Sequence, residues 1–101
     1  MPQVIITESA RRDLQRLQDF LKTKNTLAAK KVADVLIRAI RMLQSMPEIG
    51  RPVPHLPPEF QEVVIEFGSS GYVMLYRYDE YTDTLAILKI KHQKEAGYPA
   101  A

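Results

Sequence analysis

Five prolines stand between Pro47 and Phe60, in the stretch PEIGRPVPHLPPEF. Each fixes φ and lacks an N–H, so the stretch can form neither a helix nor a central strand. It reads as an ordered, extended loop, and it divides the chain by hydrophobic period. Before it, apolar residues recur at helical spacing. After it, they come in short β-rich runs separated by polar turns.

The N-terminal half opens with Gln3–Ile6, a short β-rich run that reads as a strand. Thr7 or Ser9 can cap the helix that follows. There Ala10, Leu14, Leu17 and Leu21 form one stripe, with Arg11, Arg12, Gln15 and Asp19 pointing away. Thr23–Thr26 breaks the pattern, and Thr26 can cap a second helix. That helix runs from about Leu27 to Met46, roughly 30 Å of rise. Its core stripe is Ala29, Val32, Ala33, Leu36, Ala39, Ile40 and Leu43, and Pro47 stops it. The short linker makes the pair an antiparallel hairpin. The second helix has apolar residues to spare. Val35 and Met42 flank one edge of its stripe and Ile37 the other, while Lys30, Lys31, Asp34, Arg38 and Arg41 cluster opposite. A stripe wider than a surface helix needs must meet either the sheet or a partner.

The C-terminal half reads as a β-meander: Glu62–Phe67, a turn at Gly68–Gly71, Tyr72–Tyr78, a turn at Asp79–Asp83, then Thr84–Lys91. A four-residue first turn sets Phe67 against Tyr72, Ile65 against Met74, Val63 against Tyr76 and Glu62 against Arg77, the last a cross-strand ion pair. Met74 then faces Leu88 and Tyr76 faces Ala86. One face carries Val63, Ile65, Phe67, Tyr72, Met74, Tyr76, Ala86, Leu88 and Ile90 and is assigned to the helices. The other carries Val64, Val73, Leu75, Leu85 and Ile87, ringed by Glu62, Glu66, Arg77 and Lys89. So many aliphatics on one outer face call for a partner or for cover by the proline loop and tail. The fold class is therefore α+β: a strand, a two-helix hairpin and an antiparallel meander, in the order β-α-α-β-β-β.

The length, 101 residues, is that of one domain, 1–101. Without cysteine the chain forms no disulfide and no thiolate metal site, and His55 and His92 lack the spacing of a metal pair. No glycine-rich phosphate loop or nucleophile elbow is present, so no cofactor is expected. The N-terminus has no signal-peptide pattern and no apolar run is long enough for a membrane span, which makes the cytoplasm the expected location. A net charge of +2 is too small to argue for direct nucleic-acid binding. Its distribution is uneven: residues 1–50 hold nine Lys and Arg against five Asp and Glu, residues 51–101 five against seven. His92, near Lys91, Lys94 and Tyr98, is the best acid–base candidate, since imidazole titrates near neutrality.

The order of segments, with PEIGRPVP after the second helix, then SSGYVMLYRYD and ILKIKHQKEAGY, resembles the toxins of bacterial RelE/ParE-type toxin–antitoxin pairs over nearly the whole chain. The resemblance implies two helices against an antiparallel sheet, growth inhibition by the free protein, and a small antitoxin whose C-terminal segment wraps it. RelE-like members are ribosome-dependent endoribonucleases. They carry lysines on the strand before the SSGY-like turn and an arginine just after it, with basic residues and a tyrosine in the tail. Such cations stabilise the phosphate under attack. Here the corresponding strand positions are Val64, Glu66 and Val73, while His92, Lys94 and Tyr98 remain. ParE-like members lack the cluster, share the PxxGRP loop, and inhibit DNA gyrase by binding. Gln61 stands where the family commonly has an arginine.

The leading reading is thus a ParE-like toxin that acts on gyrase by binding, with most of the ribonuclease residues absent. Arg51, His92, Lys94 and Tyr98 are its target-binding candidates. The antitoxin is expected on Val35, Arg38, Arg41 and Met42 of the second helix and on Val64, Val73, Leu75 and Ile87 of the sheet. The alternatives are a messenger-RNA endonuclease using Arg77, His92, Lys94 and Tyr98, and an inactive interaction module.

Overall fold

A computed structural model describes residues 1–68 and 70–94. The elements are β1 (Gln3–Ile6), α1 (Glu8–Lys24), α2 (Thr26–Ser45), β2 (Arg51–Pro52), β3 (Phe60–Phe67), β4 (Ser70–Asp79) and β5 (Thr84–His92). They form one five-stranded sheet in the order β1-β5-β4-β3-β2, antiparallel except for β1, which lies parallel to β5. The two helices lie against one face of it, α1 over β5 and α2 over β3 and β1. The α+β order read from the sequence holds, with one addition. Within the proline loop Arg51–Pro52 pairs with β3 and becomes the edge strand, a place where proline is tolerated.

Thr7 caps α1: its Oγ1 accepts from the Ala10 N–H at 3.2 Å and donates to the Ile87 carbonyl at 2.8 Å. One side chain thus starts the helix and ties it to β5. Asn25, not Thr26, joins the helices. Its backbone N–H closes α1 on the Leu21 carbonyl, and its Oδ1 accepts from Leu27 N–H at 2.9 Å and Ala28 N–H at 3.2 Å. Asparagine serves both ends because it has an extended backbone here and a short acceptor side chain.

The core contains Ala10 and Leu17 of α1, Val32, Leu36, Ala39 and Leu43 of α2, and Ile65, Tyr72, Met74, Tyr76, Leu85, Ile87 and Ile90 of the sheet. Both helical stripes are as read from the sequence, with Leu14, Leu21 and Ile40 packed at the margin. Each large side chain fully buried here is worth about 2 kcal/mol of apolar transfer.

The strand register differs from the sequence reading by two residues. The β3–β4 hairpin pairs Phe67 with Ser70, Ile65 with Tyr72, Val63 with Met74, Gln61 with Tyr76 and Phe60 with Arg77. Pairing reaches closer to the turn than a four-residue loop would allow, and Gly68 supplies the φ of 62°. Glu62 therefore faces Leu75, not Arg77. The ion pairs fall elsewhere: Arg51 Nε to Glu62 Oε1 at 2.7 Å, and Arg77 Nε near Glu59 Oε1 at 4.0 Å.

A second correction concerns β5. Leu75 pairs with Lys89 and Tyr76 with Ile87, so Leu88 is an extra residue, a β-bulge. The bulge reverses the alternation. Leu85 and Ile87 point into the helix-side core with Ile90, while Ala86 belongs to the opposite face, the reverse of the sequence assignment. Beside the bulge the Ile90 N–H is taken by Asp13 Oδ2 of α1 at 3.0 Å. This satisfies a donor and fastens helix to sheet.

Candidate functional site

The outer side of α2 is a charged helix face with apolar interruptions. Lys30, Lys31, Arg38 and Arg41 are exposed and make no ion pair among the described residues, and Asp34 is the only carboxylate on the helix. Leu27 and Ile37 are 58% and 47% exposed. Val35 and Met42 are half-buried, and Val35 packs against the core. The spare apolar surface therefore centres on Leu27 and Ile37 more than on Val35 and Met42. Leu27 was overlooked because it lies in the first turn, before the buried stripe begins.

The sheet face turned away from the helices holds fewer open aliphatics than expected. Ile87 is fully buried in the helix-side core and is not available to a partner. Val73 and Leu75 do lie on this outer face, yet they are 5% and 6% exposed. Their cross-strand neighbours are Val64 and Lys91 for Val73, and Glu62 and Lys89 for Leu75. Val64, at 36%, remains open. Val64, Glu66 and Val73, the positions that correspond to the ribonuclease cations, lie together on this face and carry two aliphatics and a carboxylate.

The candidates for phosphate chemistry do not meet. Arg77 and His92 sit at opposite ends of the β4–β5 ladder, since Tyr72 pairs with His92 and Arg77 with Ala86. Five residues of strand separate them, about 17 Å at 3.4 Å per residue. His92 stacks edge-on against Tyr72, with centroids 5.5 Å apart, and its Nδ1 accepts from the Lys94 N–H at 3.1 Å. In the neutral ring the proton therefore lies on Nε2. The Lys94 side chain is exposed. Tyr98 lies outside the described residues. Arg77 lines a cleft of about 450 Å³ with Glu48, Glu59, Tyr78, Asp79 and Glu80. Four carboxylates around one guanidinium repel a phosphate. Among the described residues no group of three or more His, Cys, Asp or Glu side chains could hold a metal ion.

Arg51 occupies a different setting, built by residues the sequence reading did not bring together. Tyr76 is fully buried and its hydroxyl donates to Gln61 Oε1 at 2.6 Å while accepting from the Gly50 N–H at 2.8 Å. Burial pushes this phenol above the usual tyrosine range, the Gly50 N–H pulls it down, and Glu48 adds a smaller upward push. A Cβ on Gly50 would stand 2.5 Å from the Tyr76 hydroxyl and 2.9 Å from the Glu62 carbonyl oxygen. The next residue, Arg51, then pairs in β2 with Glu62 and binds its carboxylate through Nε. The arginine side chain is 63% exposed and that of Glu62 12%. The glycine in GRP and the tyrosine in YRY were visible signals, but nothing in the sequence joins positions 26 residues apart.

A strand, a helical hairpin and antiparallel strands in one mixed sheet make the α+β fold of RelE/ParE-like toxins. The model of the ParE toxins of type II toxin–antitoxin systems (parDE) matches residues 4–97, and the chain belongs to that family. It is a toxin component of the type II class. It is 30% identical over 95 residues to toxin RelE3 of Caulobacter vibrioides, covering 94% of this chain and 98% of that protein. Among solved structures it resembles a chain of the toxin–antitoxin complex RelBE2 from Mycobacterium tuberculosis, with a TM-score of 0.63 and 27% identity. That match covers 92% of this chain and all of the other. The fold is also that of a chain in the chromosomal ParDE system of P. aeruginosa, with a TM-score of 0.73, 19% identity and coverage of 91% and 96%. No helix of the described residues is long and apolar enough to cross a membrane.

Proposed function

We propose that the protein stops bacterial growth by binding DNA gyrase in the cytoplasm, and that a cognate antitoxin holds it inactive. One observation carries the choice of gyrase over messenger RNA. The sheet face that would hold the scissile phosphate presents Val64, Glu66 and Val73, and the remaining cations do not converge: Arg77 lies about 17 Å of strand from His92. A phosphate in flight needs donors aimed at one point. A toxin that acts by binding needs a fixed surface and no such convergence.

The antitoxin is assigned to the basic outer side of α2. An acidic amphipathic helix there would lay its apolar residues on Leu27 and Ile37 and at the Val35 and Met42 edge, and its extended continuation would reach Val64. Arg38 and Arg41 would steer it, changing association rate more than affinity.

The decisive experiment compares two reactions of the purified toxin. Gyrase supercoiling should fail as toxin is added, with cleaved DNA left linked to the enzyme. Ribosome-bound messenger RNA should stay intact. Codon-specific RNA cleavage that disappears in His92→Ala would replace the gyrase reading with the endonuclease one.

A further inference from the structure

Arg51 is held by one donor and left open at the others. Its Nε is bound to Glu62 Oε1, and the two terminal amino groups have no hydrogen-bond partner among the described residues. Glu62 is mostly covered, so the carboxylate is a fixed post and the guanidinium a fork resting on it. The backbone beneath the fork is fixed as well. Gly50 is clamped between the Tyr76 hydroxyl and the Glu62 carbonyl with no room for a Cβ, and the Tyr76 hydroxyl is itself held by Gln61. A long, flexible side chain ordinarily loses rotamer entropy on binding. Here that loss has been taken during folding.

We infer that Tyr76 is a positioning residue for Arg51, and that the free edge of this pre-set guanidinium takes a carboxylate on the surface of the target protein. The inference rests on the reading of the chain as a toxin with a protein target. A planar fork with paired N–H donors matches a carboxylate in bidentate geometry. A nucleic-acid backbone suits the site less. Glu62 and Glu66 share this sheet face and Glu59 stands at its end, so a run of phosphates would meet repulsion where a single carboxylate finds its partner. The exposed cations of α2 and β4 differ. Those of α2 sit on solvated stems without a fixing partner, and Arg77 faces the acidic cleft.

The test uses the full chain in four forms: Arg51→Ala, Arg51→Lys, Tyr76→Phe and the double variant Arg51→Ala/Tyr76→Phe. Each is assayed for growth inhibition from a titratable promoter, for affinity toward the antitoxin, and for exchange of the Gly50 amide. Tyr76→Phe keeps the ring and removes the hydroxyl. It should bind antitoxin within about twofold of wild type, expose the Gly50 amide to faster exchange, and lose roughly tenfold or more in potency, the scale of one charge-assisted hydrogen bond. Arg51→Lys keeps the charge but not the fork and should lose as much. The double variant should be no weaker than Arg51→Ala alone, because the hydroxyl acts through the arginine. Wild-type potency in Tyr76→Phe or Arg51→Lys, or losses that multiply in the double variant, would overturn the inference. So would duplex DNA binding by the wild type that Arg51→Ala removes. If Tyr76→Phe does not fold, Gln61→Met removes the acceptor of the phenol and replaces it in the comparison. A wild type that stops growth while purified gyrase still supercoils DNA removes the gyrase reading alone, since the coupling is read in growth.

Discussion

Replacing Gly50 by alanine adds one methyl group where three atoms already crowd. The new Cβ would lie 2.5 Å from the Tyr76 hydroxyl oxygen, 2.8 Å from its Cε1 and 2.9 Å from the Glu62 carbonyl oxygen. Tyr76 cannot swing aside, because it is fully buried in the core cluster that also holds Leu36, Leu43 and Met74. The Glu62 carbonyl belongs to a strand. The loop must therefore move, and the Gly50 N–H leaves the phenol. Overpacking of this kind costs about 1–3 kcal/mol, and a lost buried hydrogen bond about 1 kcal/mol more. A total of about 2–4 kcal/mol compares with roughly 5–15 kcal/mol for a domain this size, so the variant should fold but be clearly weakened. Urea unfolding followed by far-ultraviolet circular dichroism measures it: the midpoint should fall with an unchanged slope. In a thermal scan the drop should be on the order of 10–25 °C. Removing the phenol oxygen relieves only the shortest contact, so Tyr76→Phe should rescue Gly50→Ala partly, with a coupling of about 1 kcal/mol. A loss below about 0.5 kcal/mol in Gly50→Ala would show that the loop yields freely, and the pinning of Arg51 would lose its basis.

Two further outcomes follow from the sheet and the β4–β5 turn. Ile87→Asp buries a carboxylate in the core and should abolish folding, whereas Val64→Asp on the open face should cost under about 1 kcal/mol. Comparable stability of the two in urea would refute the face assignment created by the bulge. Tyr78 donates to Asp83 Oδ1 at 2.7 Å, and this bond lifts its phenol from 10.0 to about 12. The raised value means that the neutral form is favoured in the folded state. Its contribution is complete below pH 10 and is lost as pH rises through about 12. Following the tyrosine ring resonances with pH should show Tyr78 titrating late in wild type and earlier in Asp83→Ala. An unchanged Tyr78 midpoint in that variant would remove the hydrogen bond as the cause.

The helices were legible because their stripes are long and the residues between them are polar, so Leu17, Val32, Leu36 and Leu43 could only face inward. The three-strand meander was legible from the prolines and the polar turns, but the place of β1, parallel to β5 at the sheet edge, was not. Register was not. Two extra residues of pairing beside Gly68 depend on its backbone angle, and the letters GSSG fit either loop length. The bulge was hidden for a related reason. In AILKI every second residue is apolar in one frame, and an inserted Leu88 leaves both frames apolar. The consequence reached the candidate site directly: Ile87 read as surface and is core. Asp13 read as nothing in particular, since a carboxylate that meets a strand N–H appears only when the helix is laid on the bulge. The Tyr76–Gly50 contact escaped for the same reason as the Asp13 bond: both join elements far apart in the chain.

The parallel pairing of β1 with β5 places the first strand of the chain against the last. Thr7 and the Ile87 carbonyl are 80 residues apart, and they are joined by the Thr7 hydroxyl at 2.8 Å and the Thr7 N–H at 3.1 Å. Closing a span of that length costs about 4 kcal/mol in chain entropy, beyond the fixed term. The α1 helix has the same dependence, because it rests on β5 and ends its strap at Ile90. A growing chain therefore has no partner for β1 and no floor for α1 until β5 has been made. Half a toxin of this design is not a weaker toxin. It is an unfolded one, and the surface that carries Arg51 exists only in the finished fold.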